Sequence, residues 1–388
     1  MTTVRTGTYE QQLSGELTYK AFIPKPLPPD PPILFNPELL NLLSRADRAI
    51  GRLDGILNTI PNPDLLVIMY SKKEAVLSSQ IEGTQASLSD ILEKEEAVMS
   101  GEVNEDVKVT LNYITAMKYG LERIKEFPLS LRFIREVHKI LLTGVRGKDK
   151  EPGEFRRSQN WVGPEGCTLA TATFIPPPVS EMNEALYSFE KYLHAEKIYP
   201  VLIECGLIHA QFETVHPFLD GNGRIGRLLI TFLLCLNKVI AKPLLYLSYY
   251  FKKHKMEYYD TLMSVRNTGD WECWLKFFLT GIIETTENVV DLSNKIMALK
   301  KRNLELVRQS MPRYSAGAVE CLEKIYLYPV FTISLMKKTC QLSYNTAKNI
   351  IKRFVSLHIV TEKTAEKRNR RYFFYEYINL LNEGTELK

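Results

Sequence analysis

The chain has 388 residues, of which 45% are apolar and 24% charged, with a formal net charge of +5. These values suit a globular protein of two or three domains and exclude a chain too polar to bury a core. No apolar run reaches bilayer length, and residues 1–5 carry no hydrophobic signal core. The six scattered cysteines form no C-x-x-C pair. They point to free thiols in a reducing cytoplasm rather than to a disulfide frame or zinc site.

Residues 1–36 read as an extended arm rich in proline, with Pro24, Pro26, Pro28, Pro29, Pro31 and Pro32. Helical periodicity dominates from residue 37 to about 300, which predicts a mainly α fold. Residues 64–82 form one helix, closed by Ser78-Ser79-Gln80-Ile81-Glu82-Gly83. Gly83 suits a left-handed cap. Ser78 and Glu82 share a face at i, i+4, although the helix dipole disfavours an acid in the last turn. Further on, Asn160–Gly163 and Thr168–Ile175 are strand-like and stop at Pro176-Pro177-Pro178, the pattern of a short hairpin.

The chemistry concentrates in His216-Pro217-Phe218-Leu219-Asp220-Gly221-Asn222-Gly223-Arg224-Ile225-Gly226-Arg227. Gly221, Asn222 and Gly223 permit a turn whose N–H groups converge on an anion, and the helix opening there adds its positive end. Arg224 and Arg227 share a helix face and offer forks that match phosphate oxygens. Asp220 beside a polyphosphate suits Mg²⁺. His216 is the natural proton acceptor near neutral pH. Nucleotide binding with a histidine base follows from these residue types.

From 281 to 313 the pattern is a connecting helix. Residues 314–388 then read as three helices, with Thr332 and Ser343 as caps, followed by two strands around a charged loop. That order resembles a winged helix-turn-helix. Residues 311–388 hold 13 lysines and arginines against 7 acids. Lys348, Lys352, Arg353, Lys367, Arg368, Arg370 and Arg371 therefore make DNA a candidate partner, with a protein-docking role as the alternative.

The segment 216–227 resembles the signature of Fic domain proteins, H-x-F-x-[D/E]-G-N-G-R-x-x-R. The resemblance implies a helical bundle with a small β-hairpin flap, spanning 111–280 behind an N-terminal helical region, 37–110. It implies AMP transfer from ATP to a Ser, Thr or Tyr hydroxyl of a target protein, with Mg²⁺ as cofactor. His216 would be the base, Phe218 an apolar anchor and Asp220 the metal ligand. Gly221, Asn222, Gly223, Arg224, Ile225, Gly226 and Arg227 would hold the phosphates. Tyr258 would contact the nucleotide, and Thr171, Ala172, Thr173 and Phe174 would form the flap that docks the target. Ser78, Glu82 and Gly83 fit the family's inhibitory motif [S/T]-x-x-x-E-[G/N], in which Glu82 would pair with Arg227 and block the γ-phosphate. The resemblance leaves open removal of AMP, transfer of another phosphate-containing group, a nucleotide-sensing DNA regulator, and a homodimer; no membrane partner is implied.

Overall fold

The computed structural model describes residues 5–13, 18–57, 63–94, 104–145, 147–164, 166–312, 315–363 and 370–386. Fifteen helices and five short strands are found among them. No helix among the described residues is long and apolar enough to cross a membrane.

The proline-rich arm begins with an antiparallel hairpin, β1 (Thr8–Gln12) and β2 (Tyr19–Ile23), before running extended to residue 36. The arm lies against the body. Phe22 N–H donates to Ile175 O, and Arg5 pairs with Glu272 at 2.8 Å. Helix α1 (Pro37–Leu57) lays an apolar stripe of Leu39, Leu43, Ala46, Ile50 and Leu53 along the much later α11 (Trp271–Ser310).

Helix α2 (Pro63–Ile81) is central and buried on every side, yet it carries Ser71, Lys72, Lys73, Glu74, Ser78, Ser79 and Gln80. Buried polar groups need partners, and α2 finds them on most of its neighbours. Glu74 Oε1 accepts from Tyr113 and Ser248, and Ser71 meets the Tyr246 hydroxyl. The chain's far end supplies others: Lys73 Nζ donates to Glu383 O and Gln80 Nε2 to Thr385 O. Helices α3 (Leu88–Lys94), α4 (Glu105–Arg123), α5 (Leu131–Leu142) and α6 (Val179–His194) follow. Then come α7 (Val201–Val215) and α8 (Asn222–Leu236), which pack on each other and are almost fully buried; α6 packs on α7, and α4 and α5 on α8. Helices α9 (Ser248–Lys253) and α10 (Lys255–Thr268) lead into α11.

The last elements are α12 (Ser315–Leu327), β3 (Val330–Thr332), α13 (Ile333–Thr339), α14 (Tyr344–Ser356), β4 (Thr361–Glu362), β5 (Arg371–Phe373) and α15 (Tyr375–Asn382). The strands form one antiparallel sheet in the order β3-β5-β4. Thr332 and Ser343 accept from Leu335 N and Thr346 N, the caps expected of them. Strand β5 ends at Phe373, and Phe374 is already the N-cap of α15.

Two expected boundaries fall inside helices. The one at 110/111 lies within α4, and the one at 280/281 within the 40-residue α11. Gly281 does not break α11; a Cβ there would lie 2.6 Å from the Tyr250 ring, so the glycine permits close packing. One continuous set of buried apolar side chains runs from Leu27 to Leu381.

Candidate active site around His216

Helix α7 ends at His216 because Pro217 follows, and the residue before a proline is driven out of the α region. His216 takes a left-handed conformation, φ 48° and ψ 60°, which costs a non-glycine residue about 1–3 kcal/mol. Its neighbours hold it there. His216 N–H donates to Phe212 O, while its carbonyl accepts from Arg156 Nε at 3.1 Å and Asn160 Nδ2 at 3.2 Å. The ring is oriented as well. Nδ1 lies 3.3 Å from Glu213 O and must donate to it, which leaves Nε2 as the lone-pair nitrogen. Burial and then the charge of Arg266 lower its pKa to about 4, so the ring is a free base at neutral pH.

Phe218 is fully buried and stacks on His138, ring centres 3.7 Å apart. His138 Nδ1 accepts from Gly153 N–H, so its Nε2–H donates to Asp220 O at 2.9 Å. Burial pushes the His138 pKa down to about 4, in keeping with a neutral ring. The loop of residues 217–221 is therefore braced from α5.

Gly221 (φ 80°) turns the chain into α8. The first i to i−4 bond of α8 runs from Ile225 N–H to Gly221 O, so the amides of Asn222, Gly223 and Arg224 precede it and face outward as an anion cradle. Two expected phosphate ligands, Ile225 and Gly226, play other parts, and Asn222 offers the cradle only its backbone N–H. The Asn222 side-chain amide is spent on Phe218, accepting from its N–H and donating to its O, both at 2.8 Å; it shapes the loop. Ile225 is 1% exposed, with its N–H already bonded. Gly226 admits the Glu213 carboxylate, which would lie 2.2 Å from a Cβ there. Asp220 Oδ1 holds Gly221 N–H and Arg224 Nη2, while Oδ2 makes no hydrogen bond among the described residues. A lone carboxylate oxygen beside a polyphosphate suits Mg²⁺, which takes few protein ligands and keeps its waters. The donor chemistry thus fits that ion.

Arg227 is buried and fully engaged by α2. Nε donates to Ser78 Oγ at 2.8 Å, and Nη2 to Ser78 O at 3.0 Å and Glu82 Oε1 at 2.7 Å. Glu82 stands in the last turn before Gly83, whose φ is 92°. Its side chain is about a third exposed; partial loss of hydration opposes ionisation, yet Arg227 holds its pKa below the usual value. A Cβ on Gly223 would lie 2.3 Å from Glu82 Oε1, so the carboxylate leans over the cradle.

The expected hairpin flap is reduced to one bridge, Val162 with Phe174, because a turn at 168–171 and the prolines at 176–178 leave no room for longer pairing. Thr171 and Thr173 are exposed and Ala172 half-buried, but Phe174 is buried against Phe22 and under Arg266. Tyr258, expected at the nucleotide, is 1% exposed. Its ring stacks on Phe251 at 4.4 Å, and its hydroxyl donates to His209 Nε2 at 2.9 Å; Tyr258 is core. The sequence reading missed Arg156, Asn160, His138 and Glu213 as parts of the site. Lone polar residues in a loop or helix carry no signal without a partner.

Residues 40–122 match the family model described as Fic/DOC family N-terminal, and residues 128–234 match that of the Fic/DOC family. The protein adenylyltransferase Fic of Culex quinquefasciatus is 33% identical over 236 residues, covering 57% of this chain and 42% of that protein. That of Aedes aegypti is 32% identical over 241 residues, covering 58% and 43%. The chain spans less than half the length of these curated relatives. A solved structure of a Fic family protein from Desulfovibrio desulfuricans G20 has the same fold, with a TM-score of 0.57 at 17% identity over 88% of this chain and 97% of that one.

Proposed function

Since residues 40–234 make this chain a Fic/DOC family protein, a distant homologue of the protein adenylyltransferases named Fic, we propose that it transfers AMP from ATP to a side-chain hydroxyl of a target protein. The observation that carries this reading is the fixed His216 ring, with Nδ1 tied to Glu213 O and Nε2 free beside an amide cradle. The hydroxyl oxygen bonds to the α-phosphorus and gives its proton to Nε2. The bond from the α-phosphorus to the bridging oxygen breaks, and pyrophosphate leaves with the electron pair. The α8 amides and Arg224 meet its charge. Mg²⁺ on Asp220 would neutralise part of the polyphosphate charge.

Glu82 regulates the site. A γ-phosphate and the Glu82 carboxylate need the same guanidinium, so ATP binds productively only once Glu82 has left Arg227. The test is intact-mass analysis of the Glu82→Gly protein incubated with ATP. AMP is gained on a Ser, Thr or Tyr, and the gain is lost on adding His216→Ala while ATP binding persists. No AMP gained by Glu82→Gly, on itself or on any lysate protein, refutes transfer. Net release of AMP from modified protein assigns the reverse reaction.

A second partner reading concerns the C-terminal elements, whose helices α12 to α14 and three-stranded sheet support a winged helix. Helix α14 exposes Tyr344, Asn345, Lys348, Lys352 and Arg353, and its three cations make no ion pair among the described residues. DNA phosphates suit such a face. Lys367 and Arg368 lie outside the described residues; Arg370 pairs with Glu362. Salt-dependent retardation of duplex DNA, lost in Lys348→Ala/Lys352→Ala, is the expected result; its absence in low salt refutes DNA binding.

A further inference from the structure

Arg266, on α10, is 7% exposed and sits beside His216 without a carboxylate partner among the described residues. Its bonds are all to neutral groups. Nε donates to Thr214 Oγ1 at 3.1 Å, Nη2 to Glu213 O at 3.1 Å and Nη1 to Met263 Sδ. Its guanidinium carbon lies 3.8 Å from the centre of the Phe174 ring. Glu213 O is the same carbonyl that receives His216 Nδ1. One buried fork thus reaches the acceptor that orients the base and also the buried end of the 171–174 loop.

We propose that Arg266 is a positioning residue for His216, bracing the carbonyl that fixes the imidazole, tying it to Phe174, and reserving the site for an anionic substrate through a charge that no carboxylate among the described residues pairs with in a salt bridge. This rests on the transfer reaction proposed above. A buried guanidinium needs its hydrogen bonds met; Thr214 Oγ1, Glu213 O and Met263 Sδ accept from it and the Phe174 ring covers its face, all of them neutral, while the nearby Glu213 carboxylate, whose own pKa burial raises to about 7, offsets the charge only in part. The charged groups that face the His216 ring are Arg266 on α10, Arg156 in the preceding loop and Glu82 at the end of α2; Glu213 on α7 contributes its carbonyl. The two cations make a third positive charge unwelcome, and Arg266 is the stronger of them. An imidazole titrating at about pH 4 is fully unprotonated at pH 7 but is a weak base. A polyphosphate brings several negative charges, offsets Arg266 and raises the ring's affinity for a proton toward the range where general bases work. Base strength then arrives with the substrate.

The experiment is NMR of the full-length protein with ¹⁵N-labelled histidine rings, His216 being assigned by its loss in His216→Gln. In wild type the ring is the neutral Nδ1–H form and resists protonation to about pH 4. In Arg266→Met its titration rises by about one pH unit, the shift a removed like charge allows. Arg266→Lys keeps the charge and stays near wild type. Should the methionine variant not fold, Arg266→Gln is uncharged, still offers a donor to Glu213 O, and serves the same comparison. ADP bound to the wild type raises the titration. A folded Arg266→Met or Arg266→Gln whose His216 titrates with the wild type overturns the proposal, as does bound ADP without a rise. The measurement needs no turnover: no transfer by the Glu82→Gly protein, with the titration shifted as described, refutes the reaction alone, and transfer by that protein with no shift refutes the role of Arg266 alone.

Discussion

Replacing Glu82 with glycine separates the two roles that Arg227 is asked to play. In the resting protein Arg227 makes three hydrogen bonds, two to Ser78 and one to Glu82. Only the Glu82 bond joins opposite charges, and a hydrogen bond to a charged group contributes about 1.5–3 kcal/mol. If that bond must break before the γ-phosphate can be seated, productive ATP affinity is reduced by the fraction of molecules with Glu82 released. A bond of that strength corresponds to a penalty of about 10- to 150-fold. Glu82→Gly therefore raises self-labelling with α-labelled ATP by about 10- to 150-fold at subsaturating ATP. Without nucleotide the same variant melts lower than the wild type, because Arg227 stays buried having lost its counter-charge. ATP should restore that loss and raise Tm more than it does in the wild type. Gly83 already ends the helix at φ 92°, so the substitution disturbs little backbone. Equal labelling of wild type and variant, with equal ATP-induced Tm shifts, would refute the idea that Glu82 and phosphate compete for one guanidinium.

Three further outcomes follow from neighbouring residues. Burial raises the Glu213 pKa to about 7 from a carboxylate's ordinary 4.5, so the folded protein holds its proton more tightly than the unfolded chain does. The wild type therefore loses stability as pH rises from 4.5 through 7, and Glu213→Gln does not; the Tm difference in favour of Gln should widen between those values, and a difference independent of pH refutes it. Asn222→Ala orphans the buried Phe218 N–H, while Phe218 O keeps Asn160 Nδ2, so urea denaturation should show a loss of about 2–3 kcal/mol. A loss under 0.5 kcal/mol would mean water replaces the amide. Deleting residues 383–388 removes one acceptor from each of Lys73, Gln80 and Lys252, so amide exchange across residues 70–82 should quicken about tenfold, the effect of about 1.4 kcal/mol; unchanged exchange would show that the tail does not steady α2.

The candidate site was legible where its parts are consecutive. The twelve residues from His216 encode a helix stop, a glycine turn, a helix start and two arginines in one line, and α8 begins at Asn222 inside that line. The caps Thr332 and Ser343 were legible for the same reason, since a cap and its amide are three residues apart. What failed to show was everything settled by chain segments meeting from afar. Nothing in the sequence says whether the Asn222 amide faces a ligand or closes its own loop; the loop wins because Phe218 N–H and O lie four residues back and are otherwise buried. Tyr258 looks like an exposed aromatic until Phe251 and His209 are placed around it.

The pairing of Glu82 with Arg227 bridges 145 residues, and it is possible because α2 is a core element. A helix buried on all sides has few places to send its polar groups, so most are spread over different neighbours: Glu74 on α4 and α9, Ser78 on α8, Gln80 at the far end of the described chain; Ser79 Oγ has no partner among the described residues. Those partners fix the helix register, and register is what sets the Glu82 carboxylate over Gly223 rather than one turn away. A glutamate at the same spacing on a surface helix would be solvated and would block nothing. The geometry of the Glu82–Arg227 pair, inhibitory in the function proposed above, is thus a property of how α2 is buried, and changes at Glu74 or Gln80 should alter it without touching the cradle.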